Sequence, residues 1–346
     1  ASSGTTVNQS GLIETVGSGI PRIDFQGNTK GALLLEPQRS NAITNSETFG
    51  STGWSFVTAG TAITPIVTDD YAISPDGTQN AQRVQFNLGG GTTLSDRTVI
   101  RQNIGAQTDW FLSVYMKSTN GAEQKILWQT NADSNQTVVT GEWQRFTFSR
   151  NGVTNTWAGL SLRGSISSVD TADILVYGFQ AEQGSYATSY IPTYGASQTR
   201  AAETCGDAGT ASTFNSTEGV LYAEISALAD GTNQRWISIG SGSNVNRVSI
   251  LFNATNKITC SVRGSSTAIY DANFNIGSQT NNTKAAIRYK NSDFAFFVNG
   301  AKVDSQQSGS LLFNASLSEL AFDSADGGSD FYGNTKDLRV YNEALT

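Results

Sequence analysis

Short runs that alternate apolar and polar residues, each closed by Gly, Asn, Asp or Ser, recur from residue 33 almost to the end of the chain. GWSFVTAGTAITPIVT, AQRVQFNL, TVIRQNI, DWFLSVYMKS, KILWQT, GEWQRFTFSR, AGLSLRG and ADILVYGFQAE follow one another up to Pro192. A period of two puts alternate side chains on opposite faces of a strand, and turns at this spacing suit a sandwich of about eight to ten strands. A second series opens at Thr213: GVLYAEISAL, QRWISIGS, NRVSILFNA, KITCSVRG, KAAIRYKNSDFAFFVNGAKV, SELAFDS and KDLRVYNEAL. Within it, Asn299-Gly300 between FAFFV and AKV reads as a type I′ hairpin turn. No stretch carries the 3.6 period of a long amphipathic helix. The expectation is an all-β chain: two antiparallel β-sandwich (jelly-roll) domains in tandem, with an extended N-terminal arm.

The boundaries follow from where the alternation stops. Residues 1–32 are polar and glycine-rich with small apolar islands, and read as an arm lying on another surface. Residues 33–192 form the first sandwich, 193–212 (TYGASQTRAAETCGDAGTAS) a linker or strap, and 213–346 the second sandwich. The run LLLEPQRSNAITNSETF would bring a buried strand to a corner where the chain enters the first sandwich. Arg39, in that corner, reads as a structural partner of a carboxylate. Ala1 opens the chain and Met116 is its only methionine, so a processed chain or a fragment is expected.

Composition removes much chemistry. There is no histidine, which excludes the commonest general base, Ser-His and Cys-His nucleophiles and most zinc, copper and iron sites. The net charge of −7 with no Lys/Arg cluster argues against nucleic acid and anionic membranes. No apolar run approaches the roughly 18 residues of a membrane span. Cys205 and Cys260 form either a single disulfide or two inert buried thiols.

The motifs PRIDFQGNTKGALLLEPQRSNAITNSETFGSTGW, DWFLSVYMKS, GEWQRFTFSR and GFQAEQGSYATSYIPT, over residues 8–200, resemble a module common in bacteriophage tail and fibre-like virion proteins. FFVNGAKV and FYGNTKDLRVYNEAL, within residues 212–346, resemble the laminin-G/concanavalin-A-like family. The first resemblance implies a carbohydrate-binding-module-like jelly-roll on a virion. Together they imply a non-catalytic adhesin that binds glycans on a host cell surface, or a structural decoration or fibre protein without sugar binding. Partners would be a host glycan and, through the N-terminal arm, other virion proteins or further copies of the chain. Modules of this kind also imply a structural calcium, with Glu47 and Asp173 as ligands by position.

Sugar binding calls for flat rings flanked by amides and charged groups. Trp128, beside Gln129 and Asn131, and Trp157, beside Asn155 and Arg163, are the candidate platforms in the first sandwich. Trp110, Trp143, Tyr115 and Trp236 read as core, while Tyr270 and Phe274 could line a face of the second. Asp323, Asp326 and Asp330, in the Gly-rich loop FDSADGGSDFYGN, offer oxygens for calcium; the alternative is a plain acidic turn. For catalysis, Glu218/Glu224 and Asp323/Asp326 are the nearest carboxylate pairs, and neither has a glycosidase spacing. Arg247, Arg288 and Tyr289 form no recognisable lyase set. No enzyme activity is expected.

Overall fold

The computed structural model describes residues 3–27, 29–131 and 133–345, with backbone only at 133–135. Every regular element among them is a β-strand, and every strand pair is antiparallel. The all-β expectation holds. The chain divides into two compact units: residues 3–20 with Gln38–Ala201, and Pro21–Pro37 with residues 202–345.

The first unit is a jelly-roll of two five-stranded sheets. Sheet A orders Gln144–Arg150, Trp110–Ser118, Thr171–Gln183, Ala81–Asn87 and Ile63–Ala72 from edge to edge. Sheet B orders Asp133–Val139, Gln124–Gln129, Asn155–Arg163, Arg97–Gln107 and Trp54–Ala59. Their facing sides bury Val84, Phe86, Leu112, Ile126, Leu160 and Phe179, among others. Each such side chain contributes about 1.5–3 kcal/mol by leaving water. Trp110 belongs to this core, as expected. Tyr115 and Trp143 instead pack, partly buried, against a satellite cluster of Ile13, Tyr177 and Tyr190.

That cluster explains the first half of the arm. Gly4–Val7 and Ile13–Val16 pair as a hairpin, and Ile13 sits against Tyr177 of sheet A. Residues 3–20 of the expected arm are therefore a hairpin folded onto the jelly-roll, and its later residues, from Pro21, belong to the second unit; residues 1, 2 and 28 of it lie outside the described residues.

The second unit joins a seven-stranded sheet to a five-stranded one. The larger orders Ala301–Gln306, Phe294–Val298, Thr283–Lys290, Glu218–Ala227, Gly333–Tyr341, Ala32–Leu35 and Ile23–Asp24. The smaller orders Thr267–Asn275, Lys257–Gly264, Arg247–Ala254, Arg235–Gly240 and Glu319–Ala321. Asn299 and Gly300 both have positive φ (50° and 83°), as a type I′ turn requires.

The triple-leucine strand belongs here and not to the first sandwich. Leu33, Leu34 and Leu35 pair with Thr335, Asn334 and Gly333. The corner after it is an ionic clasp. Arg22 Nε donates to Glu203 Oε1 at 2.7 Å and Nη2 to Glu36 Oε2 at 2.8 Å, with Arg22 and Glu36 each 2% exposed. A further bond joins Arg22 Nη2 to Glu203 Oε2, and the Glu36 amide donates to the same oxygen at 2.9 Å. Glu203 lies in the segment read as a linker, which is thus anchored.

The remainder of the corner fastens the jelly-roll. The Asn41 amide, fully buried, donates to the carbonyls of Phe179 (3.2 Å) and Ile191 (2.9 Å). Its oxygen accepts from the amides of Ile43 and Ala181. All four hydrogen bonds open to a buried Asn are therefore made. Arg39 stands 3.8 Å from Glu182 and 5.3 Å over the Tyr186 ring, the structural role expected of it. Cys205 and Cys260 are free thiols, so the disulfide alternative falls.

Candidate functional site

Sheet B presents its second face away from the jelly-roll core. Ala158, Leu160 and Leu162 point inward, so Trp157, Gly159, Ser161 and Arg163 face outward. Register then places Asn103 opposite Trp157, Arg101 opposite Gly159, Val99 opposite Ser161 and Arg97 opposite Arg163. Leu127 and Gln129 of the next strand sit opposite Ser161 and Gly159. Gly159 is a packing necessity: a Cβ there would meet the Ile100 carbonyl oxygen at 2.0 Å.

Trp157 is half-buried, and the Arg101 guanidinium lies 3.9 Å from its ring centroid. Such a cation–π contact is worth about 0.5–2 kcal/mol and fixes the indole plane. The result is a ring held beside an exposed Asn103, while Val99, Leu127 and Ser161, farther along the same face, are buried. Arg97, Arg163 and Lys125 stand toward the other end of the same face.

The sequence-chosen residues are only partly brought together. Trp157 and Arg163 share the face, six residues apart on one strand, or about 20 Å. Trp128 does not reach it: the ring is 1% exposed, stacked on Phe148 at 5.7 Å and edge-on to Phe179. Its Nε1 donates to Thr137 Oγ1 at 3.0 Å, which satisfies the one polar atom of the indole. Trp128 is core. Asn155 is also fully buried and holds the loop, its Oδ1 accepting from the Asn131 amide and its Nδ2 donating to the Trp157 carbonyl at 2.7 Å. Asn131 is exposed, but its Oδ1 accepts from the Thr156 amide at 2.9 Å. Both asparagines shape the loop before Trp157. Arg101, the residue most intimate with that ring, was missed because its register opposite Gly159 is tertiary information.

The acidic loop serves the second unit differently from the calcium reading. Asp323 Oδ1 accepts from the Ala325 amide, Asp326 Oδ2 from Asn244 at 2.8 Å, and Asp330 Oδ2 from the Tyr332 hydroxyl at 2.8 Å. Among the described residues, no three carboxylate, cysteine or histidine groups converge on a metal position. The loop instead covers a cationic stack: Arg247 lies 4.2 Å over Trp236 and donates to the Ser324 carbonyl at 2.8 Å. Trp236 is buried, as expected, while Tyr270 is buried too, donating to Asp304, and Phe274 is exposed. A polar cleft of about 320 Å³ opens elsewhere in this unit, lined by Asp24, Gln26, Asn282, Asn334 and Lys336.

The carboxylate pairs lack a catalytic arrangement. Glu218 is bound to Lys290 at 2.9 Å, and Glu224, about 20 Å along the same strand, accepts from Asn282. Tyr289 is buried with its hydroxyl on the Asn215 carbonyl, and Arg288 pairs with Asp293. Asp173 pairs with Arg83.

Glu47 has other company. Its Oε1 accepts from Tyr190 (3.0 Å) and Tyr194 (3.2 Å), and the Tyr177 hydroxyl stands 3.4 Å from it and 3.1 Å from Asp76 Oδ2. Burial raises the Glu47 carboxyl above its ordinary range, the tyrosine hydroxyls oppose this, and the Asp76 charge adds to it. A raised carboxyl favours the folded state in its protonated form. That stability is present below the ordinary carboxylate range and is lost as pH rises through the folded-state value. Glu47→Gln is therefore expected to raise the thermal midpoint relative to the parent at pH 8, with the gap closing toward pH 4. A gap that instead widens in acid would show Glu47 to be stabilised as its anion.

Residues 209–346 match the family model described as the concanavalin A-like lectin/glucanases superfamily. This part of the chain has a laminin-G-like lectin fold. No curated protein matches the chain. Among solved structures, the CBM40 domain of Ruminococcus gnavus IT-sialidase is 13% identical with a TM-score of 0.33, over 42% of this chain and 92% of that one. Domains LG4-5 of the mouse laminin alpha1 chain are 10% identical with a TM-score of 0.28, over 74% of this chain and 88% of theirs. The CBM22-1-CBM22-2 tandem of Paenibacillus barcinonensis Xyn10C is 12% identical with a TM-score of 0.28, over 90% and 98%. Likenesses of this strength carry no statement about what the lectin-fold unit or the jelly-roll binds.

Proposed function

We propose that the chain is a non-catalytic glycan-binding protein whose jelly-roll holds saccharide on the outer face of sheet B. The observation that carries this is the half-buried Trp157, held by Arg101 at 3.9 Å, on a sheet face that also bears Asn103 and Arg163. An indole offers a flat apolar surface to sugar C–H groups, and neighbouring amide and guanidinium donors suit hydroxyls. The lectin family matched by residues 209–346 supports the same class of ligand. Placement on a virion, as an adhesin for a host cell surface, is a finer proposal supported by the motif resemblance of the first unit. The N-terminal hairpin, folded onto sheet A, offers no argument for a partner through that segment.

A broad glycan array, probed with the chain and with Trp157→Ala, tests the reading. Saturable binding by the parent and a loss of about 10-fold in the variant are expected, equal to roughly 1.4 kcal/mol. Unchanged binding by a folded Trp157→Ala would remove this face from consideration. No binding at all by the folded parent would favour a structural decoration protein.

A further inference from the structure

Sheet B gathers three cations on one row of its outer face. Arg97 and Arg163 are direct cross-strand partners on its outer face. Directly opposed side chains have Cβ atoms about 4.5–5.5 Å apart, and like charges so placed are destabilising. Continuing the register of the adjacent strand, in which Leu127 faces Ser161, brings Lys125 alongside Arg163. Lys125 Nζ donates to Ser168 Oγ at 3.3 Å. Among the described residues, neither Arg97 nor Lys125 stands within ion-pair distance of a carboxylate. Three cations thus converge on one row, four residues along the strand from Arg101, in a chain whose net charge is −7.

We propose that Arg97, Arg163 and Lys125 bind the anionic group, carboxylate or sulfate, of an acidic saccharide whose ring lies toward Trp157. The inference rests on the glycan-binding reading of this face and narrows it to acidic sugars. A guanidinium pair offers parallel N–H donors that match a carboxylate or sulfate in a bidentate way. Hydroxyl-only sugars carry no charge for this row to meet, so they gain nothing from it.

The test titrates the full chain with polygalacturonate (carboxylate), dextran sulfate (sulfate) and neutral dextran, at low and high sodium chloride. Binding to at least one acidic polymer, at least 10-fold tighter than to neutral dextran and weakened by salt, is expected. Which polymer binds identifies the anionic group. The Arg97→Gln/Arg163→Gln double variant, its folding verified by its thermal midpoint, should lose that binding at least 10-fold. A neutral glycan bound equally by parent and double variant would overturn this inference and leave the glycan-binding reading standing. Absence of binding to every glycan on the array and to both acidic polymers would overturn both. Duplex DNA bound with the same dependence on Arg97 and Arg163 would overturn it in favour of a phosphate backbone.

Discussion

Arg22→Ala is expected to cost the lectin-fold unit about 3–5 kcal/mol, because it strands two buried carboxylates without their cation. Arg22 and Glu36 are almost wholly buried and Glu203 nearly so, and the guanidinium is the group that both acids share. Water cannot solvate the abandoned charges, so the unit must protonate them or open. Adding Glu36→Gln to Arg22→Ala removes one stranded charge and should recover part of the loss. Urea unfolding of the three proteins measures this directly. A cost below about 1 kcal/mol for Arg22→Ala, or no recovery in the double variant, would show that the clasp is solvated and weak.

Trp128→Ala is expected to destabilise the jelly-roll by about 3–5 kcal/mol, the range for deleting a buried aromatic. The ring fills space between Phe148 and Phe179, and its N–H is already bonded to Thr137. Binding measured at a temperature where the variant is folded should equal the parent's. Trp157→Ala should show the opposite pattern, with binding lost and the midpoint shifted little. If Trp128→Ala loses binding while keeping its melting curve, the assignment of the two tryptophans is reversed.

Why Trp128 misled is visible in its own strand. In KILWQ, residues 126 and 128 face the core and 127 faces out, yet Leu127 is buried as completely as Ile126. With both parities apolar, alternation cannot tell the inner face from the outer. Turns were more legible, since Asn299-Gly300 acts through neighbours in sequence. Long-range partners were not. The strand LLL pairs with residues some 300 positions later, and the polar strand Gly4–Val7 is held by a hairpin whose one core residue meets Tyr177 and Tyr190. For the same reason Trp157 and Arg163 could be chosen from sequence, while the stack of Arg101 and the opposition of Arg97 required the register of sheet B.

The most direct measurement is a crystal structure of the chain with an oligosaccharide that binds it in solution. The expected result is a sugar ring within van der Waals contact of Trp157 on the outer face of sheet B, with any acidic group on Arg97 and Arg163. A saccharide seated instead in the polar cleft around Asp24, Asn282 and Lys336, with sheet B bare, would contradict the assignment of the site.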